Sequence, residues 1–217
     1  MLEAKKSKFF QKVFSVYNRN LLKRRFHAFK VSGINNLQNL PIVVYANHSS
    51  WWDGLVAFQL CRKANVDIYA MMEEKQVLQY PFHRKIGAFS VVRENPRDAV
   101  RAINYAADLL KEKRLVWIFP QGEILPNDVR PIEFFNGVSR IVEKSEQCFT
   151  APIAIRYEFF GDWKPEVLVK IGEPQIINKP FNAKDLTKQF AENLTQTLDE
   201  LKSDILKKRL SDYKNII

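Results

Sequence analysis

The sequence predicts an α/β fold: a mixed, largely parallel sheet flanked by helices, with a basic amphipathic helical region ahead of it. Three observations lead there. Short β-rich apolar runs recur from residue 41 onward, stretches of helical periodicity separate them, and the first 30 residues join helical spacing of apolar side chains to most of the positive charge. With 217 residues, 46% hydrophobic and 27% charged, the chain is long enough for a full core and too apolar for a disordered segment. We divide it into residues 1–35, the basic N-terminal helical region, and residues 36–217, the α/β domain.

In the first region, Phe10, Val13, Phe14, Tyr17, Leu21 and Leu22 recur at helical spacing. Nine lysines and arginines stand against Glu3 alone over residues 1–30, so this segment carries +8 of the net +10 and the other 187 residues only +2. Such asymmetry points to a polyanionic surface, either nucleic acid or anionic lipid. An interfacial membrane helix fits the clustered cations and aromatics, and a terminal helix packed on the core fits the same spacing.

The strands come next. PIVVYA, DIYAMM at 67–72, GAFSVVR at 87–93, RLVWIFP at 114–120, APIAIRYEFF at 151–160 and EVLVKIG at 166–172 read as β. The connection between the last two is too short for a parallel crossover and predicts a hairpin. Residues 54–63 and 97–113 read as helices, the second with Val100, Ile103, Ala107 and Leu110 on one face. From Asn182, a capping residue, Leu186, Phe190, Leu194, Leu198, Leu201 and Ile205 predict a long core-packed helix.

Cys61 and Cys148 lack ligand spacing, which predicts buried free thiols and no metal site. No apolar stretch of about 18 residues offers a transmembrane helix. The N-terminus is interrupted by cations where a secretory signal would have an apolar core, so we expect a protein of the cytoplasm or of the cytoplasmic face of a membrane.

Three stretches carry chemistry. NHSSWWDG, residues 47–54, comes directly after PIVVYA and places His48 and Asp53 across a strand-to-helix turn. Five residues of helix turn through about 500°, so the two side chains meet only if the chain between them leaves helical geometry. A carboxylate beside a histidine fixes its tautomer for general-base work; taken alone, the pair reads more simply as two caps of a helix. Arg93 ends the third strand, where its planar fork suits a phosphate or carboxylate. WIFPQGEILP, residues 117–126, ends a strand in a Pro/Gly turn that presents polar groups. His83 reads as structural or surface, and Arg84 and Lys85 as solvated charge.

In this order the pieces resemble the glycerolipid acyltransferase family, the group of the lysophosphatidic acid acyltransferases. NHSSWWD fits its NHxxxxD block, Gly87, Phe89, Val91 and Arg93 its GxFxVxR block, FPQG at 119–122 its third block and APIAI at 151–155 its fourth. The resemblance implies acyl transfer from a thioester, acyl-CoA or acyl carrier protein, to a lipid hydroxyl, as in phospholipid synthesis, with His48 as base and Asp53 orienting it. Asn47, Trp52, Arg93, Gln121, Gly122 and Glu123 are the residues expected at the substrate, and no cofactor or metal is required. It also favours membrane lipid over nucleic acid as the partner of the basic region, which becomes the membrane-binding part of a peripheral, monotopic enzyme. Lysophosphatidic acid is the implied acceptor. The third block departs from the family's usual FPEG-Thr-Arg, with Gln121, Glu123 and Ile124, so that a phosphate-bearing acceptor would rely on Arg93 with Arg130 or Arg140 to compensate; two alternatives open, a phosphate-free acceptor such as a glycolipid and a catalytically silent lipid-binding relative.

Overall fold

The computed structural model describes all 217 residues. In chain order the elements are α1 (Lys8–Arg25), β1 (Phe29–Ser32), a 3-10 turn (Ile34–Gln38), β2 (Ile42–Ala46), α2 (Asp53–Lys63), β3 (Ile68–Glu73), α3 (Glu74–Gln79), α4 (Phe82–Ile86), β4 (Ala88–Val91), α5 (Pro96–Lys111), β5 (Leu115–Ile118), α6 (Gly137–Lys144), β6 (Phe149–Glu158), β7 (Glu166–Ile171), β8 (Gln175–Ile176), α7 (Ala183–Leu206) and β9 (Lys214–Asn215).

The strands form one mixed sheet in the order β4-β3-β5-β2-β6-β7-β1-β9, with β8 paired to β6. The run β4-β3-β5-β2-β6 is parallel throughout, and β6 and β7 form the expected antiparallel hairpin. All five residues of β2 are buried, as a central strand covered on both faces requires. Alternation divides the core: Ile42, Val44 and Ala46 join the cluster under α1 and α2, while Val43 and Tyr45 join the cluster that holds α7 residues Leu186, Phe190, Leu194, Leu198 and Leu201. Asn182 caps α7, its side chain accepting from the N–H groups of Lys184 and Asp185.

Three expectations need correction. The helical reading of residues 1–35 stops at Arg25: Phe26 is extended, and Phe29 and Val31, alternating with half-buried neighbours, make β1 a strand parallel to β7. The apolar residues of α1 do not share one environment. Phe14 and Leu22 are buried against α2 and α4, whereas Val13 and Tyr17 lie with Phe9 and Val16 on the opposite, exposed side. On α5, Val100 points to solvent, because Ala102, Ala106, Leu109 and Leu110 set the buried face one step away. The sequence predicts no helix at α3, α4 or α6; α3 and α4, of six and five residues, are shorter than two turns.

Candidate active site

The parallel strands explain why distant sequence blocks meet. β2, β3, β4 and β5 all run in one direction, so the segments that leave their C-terminal ends emerge along one edge of the sheet, where ligands of open α/β sheets gather. His48 lies just beyond β2, Glu73 ends β3, Arg93 lies just beyond β4, and FPQG lies just beyond β5.

After Ala46 the chain bends sharply before α2, and this bend brings His48 and Asp53 together, His48 Nδ1 to Asp53 Oδ2 at 2.8 Å. Asp53 is fully buried. Its Oδ2 also accepts from the backbone N–H groups of Ser49 and Ser50 at 2.7 and 2.9 Å, and its Oδ1 accepts from the Tyr157 hydroxyl at 2.6 Å. A carboxylate can only accept, and its other three partners here are all donors. The hydrogen of the His48 contact therefore sits on Nδ1, which leaves Nε2 with a free lone pair. Burial, with the Asp53 charge adding to it, pushes the Tyr157 phenol well above its usual range, so its proton stays in place as a donor. The imidazole is stacked on Phe119, with ring centroids 4.5 Å apart. Two rings of the hinge, Trp51 and Trp52, meet edge to face at 5.4 Å.

At the ends of β3 and β4, Arg93 Nε donates to Glu73 Oε1, and the guanidinium lies over the ring of Phe135, 4.9 Å from its centroid. Gly122 packs against this cation. Its φ of +75° is in the left-handed region, where a side chain is strained, and a Cβ there would displace the Arg93 guanidinium.

A cavity of about 760 Å³ joins the two groups, a size within the roughly 300–1,000 Å³ usual for small-ligand sites. His48, Trp51, Glu73, Arg93, Gly122, Glu123 and Phe135 are on its wall, and its apolar part runs between α2 (Leu55, Phe58), β3 (Ile68, Ala70) and α4 (Phe82, Ile86). From Glu73 back to Ile68 this wall tracks β3 for five residues, about 16 Å at the rise of a strand. A shallow groove of similar size, about 810 Å³, lies beside α7 around Arg130, Lys188 and Glu192 and contains none of these groups.

Of the residues expected at the substrate, Arg93, Gly122 and Glu123 line this cavity with His48, and three others do not. Asn47 is buried, its amide donating to Ile155 O and Asn127 Oδ1 and accepting from Ile155 N–H, so it ties the end of β2 to β6. Gln121 turns its Oε1 to the backbone N–H of His48 at 2.9 Å and supports the histidine from behind. Trp52 packs on Phe26, and the exposed Trp51 takes the place on the wall. The Gly122 N–H is occupied by Phe119 O at 3.1 Å, which removes it as a free oxyanion donor. His83, read as structural or surface, lines the cavity, and burial holds its pKa below the usual value. Arg130 and Arg140, candidates to compensate for the altered third block, lie off the wall and are paired with Asp199 and Glu143.

Tyr157 and Glu73 were missed. Tyr157 is far along the chain in an ordinary alternating strand, and only the pairing of β6 with β2 brings it to Asp53. Glu73 had a signal, a carboxylate at a strand exit, the same feature that marked Arg93.

Comparison with known proteins places these features. The family model described as Acyltransferase matches residues 28–156, more than half of the chain, from the start of β1 into β6. Among solved structures, the chain is similar to the 1-acyl-sn-glycerophosphate (LPA) acyltransferase PlsC from Thermotoga maritima, with a TM-score of 0.64 and 22% identity over 88% of this chain and 80% of that one. No curated protein sequence matches it.

Proposed function

This chain belongs to the acyltransferase family, and on that premise we propose that it moves a fatty acyl group from a thioester, acyl-CoA or acyl carrier protein, to a hydroxyl of a lipid, with His48 as general base. The observation that carries the reading is the 2.8 Å contact of His48 Nδ1 with the buried, donor-saturated Asp53, which leaves Nε2 as the one basic position of a ring on the cavity wall.

The chemistry needs little more. An alcohol is a weak nucleophile, and a thioester is already activated, so the missing element is removal of one proton. Nε2 takes the proton of the acceptor hydroxyl as its oxygen bonds to the thioester carbonyl carbon. The tetrahedral oxyanion then collapses, the C–S bond breaks, and the thiolate leaves with the proton from Nε2–H. Asp53 stays ionised and steadies the transient imidazolium. No cofactor or metal enters these steps. The apolar wall between α2, β3 and α4 suits the fatty chain.

The enzyme works at a membrane surface in this reading. No helix of the protein is long and apolar enough to cross a membrane. Phe9, Val13, Val16 and Tyr17 face outward from α1 at 79%, 54%, 64% and 59% exposure, on a helix with Lys23, Arg24 and Arg25 in its last turn. Apolar side chains entering the acyl boundary, with cations at lipid phosphates, form an interfacial anchor on the cytoplasmic face. The inner side of α1 connects this anchor to the site, since Phe14 packs 5.0 Å from Phe58 and 5.8 Å from Phe82, both on the cavity wall. A lipid acceptor and an acyl chain then reach His48 without crossing open water.

The test is release of free thiol from palmitoyl-CoA by the purified protein with lysolipids and lipid alcohols as acceptors. His48→Ala is expected to lower turnover by about 10²–10⁴ with an unchanged melting temperature. Full turnover in that variant removes His48 from the mechanism, and absence of transfer by the unaltered protein with every acceptor favours a silent lipid-binding relative.

A further inference from the structure

Resting on the acyl-transfer reading above, we infer that the acceptor carries an uncharged, hydroxyl-bearing head group, such as a glyceryl or glycosyl group, and no phosphomonoester. Arg93 is the sole lysine or arginine on the cavity wall, and Glu73 and Glu123 stand on the same wall. Carboxylates outnumber the fixed cation, so a phosphate dianion would enter a site that already carries negative charge.

The placement of Arg93 strengthens this. Its Nε is given to Glu73, one face of the guanidinium covers Phe135, and Nη1 is pressed against Gly122. Glu73 thereby takes the Nε edge of the guanidinium, one of its two parallel N–H pairs for gripping a phosphate, and a phosphate would have to bind beside that carboxylate. No other cation stands in, since Arg130 and Arg140 lie off the wall and are paired elsewhere.

The same groups suit a polyol. Glu73 and Glu123 accept from hydroxyls, Arg93 and the wall residue Asn136 donate to them, and Phe135, 56% exposed, offers a flat apolar surface to the C–H face of a sugar.

The experiment compares 1-oleoyl-glycerol, a monoglucosyl diacylglycerol and 1-oleoyl lysophosphatidic acid as acceptors for palmitoyl-CoA. Mixed micelles with a constant excess of phosphatidylglycerol keep the surface charge seen by α1 equal in every arm. One or both uncharged acceptors should be acylated at least about tenfold faster than lysophosphatidic acid. Glu73→Gln should narrow that ratio by about tenfold by uncovering Arg93, and separately the exposed Glu123→Gln should narrow it by about threefold by removing a repelling charge. Faster acylation of lysophosphatidic acid by the unaltered enzyme overturns the head-group assignment and leaves the reaction standing. Acylation of none of the three overturns the reaction itself, and the assignment with it.

Discussion

The two polar regions of the cavity are built from similar parts and behave differently. At one, a carboxylate is surrounded by donors, Ser49 N–H, Ser50 N–H, Tyr157 and His48, so that a neighbouring imidazole is oriented and its far nitrogen set free. At the other, a carboxylate is used against a cation: Glu73 holds Arg93, and Glu123 adds a second negative group nearby. A buried carboxylate facing neutral donors prepares a neighbour to react, whereas one facing a guanidinium cancels the charge that would have recognised an anion. On the proposed function, chemistry and acceptor choice are set separately, and substitutions should separate them.

The largest expected effect is at the first region. Asp53→Asn keeps the shape but no longer demands a donated Nδ1–H, and the alternative tautomer places a proton on the base position. Turnover should fall roughly a thousandfold, and to the same degree for every acceptor. Acceptor-dependent loss in a thiol-release assay would break the separation.

Tyr157→Phe removes one donor from the buried carboxylate. A hydrogen bond to a charged group contributes about 1.5–3 kcal/mol, so the melting temperature should drop in calorimetry. Turnover should decline about tenfold, with little change in the KM for palmitoyl-CoA. A variant with an altered KM and intact kcat would place Tyr157 at the substrate and not behind Asp53.

The smallest effect is expected at the second region. Replacing Glu123 by Thr and Ile124 by Arg, the residues usual in this block of the family, exchanges a negative group at the cavity for a positive one beside it. Lysophosphatidic acid should gain about fivefold relative to 1-oleoyl-glycerol. An equal change for both acceptors would show that head-group charge is not read there.

Much of the fold was legible in the chain because parallel strands leave clear marks. Each apolar run between helical stretches became a strand, and a polar residue beyond a strand exit, His48, Arg93 or Glu123, reached the cavity because neighbouring parallel strands end on the same edge. Orientation around the strand exit was not legible. Asn47 and Gln121 sit beside residues on the wall and turn the other way, to satisfy the backbone of Ile155 and His48. A buried polar group left unpaired costs about 1–3 kcal/mol, so these amides serve the scaffold first. Spacing along a turn does not encode which neighbour points inward. The outward apolar stripe of α1 was hidden for a related reason. Helical periodicity marks apolar positions, but the packing of Phe14 and Leu22 decides which of them meet protein, and Val13 and Tyr17 are left facing out.

The central claim, that the Asp53 carboxylate holds the proton of His48 on Nδ1 and leaves Nε2 to act as base, is tested most directly by nitrogen-15 NMR of the protein with labelled histidine, assigned against His48→Ala. The account predicts that neutral His48 carries its proton on Nδ1 and shows an unprotonated Nε2. A neutral ring protonated on Nε2, with Nδ1 bare against Asp53, would contradict it.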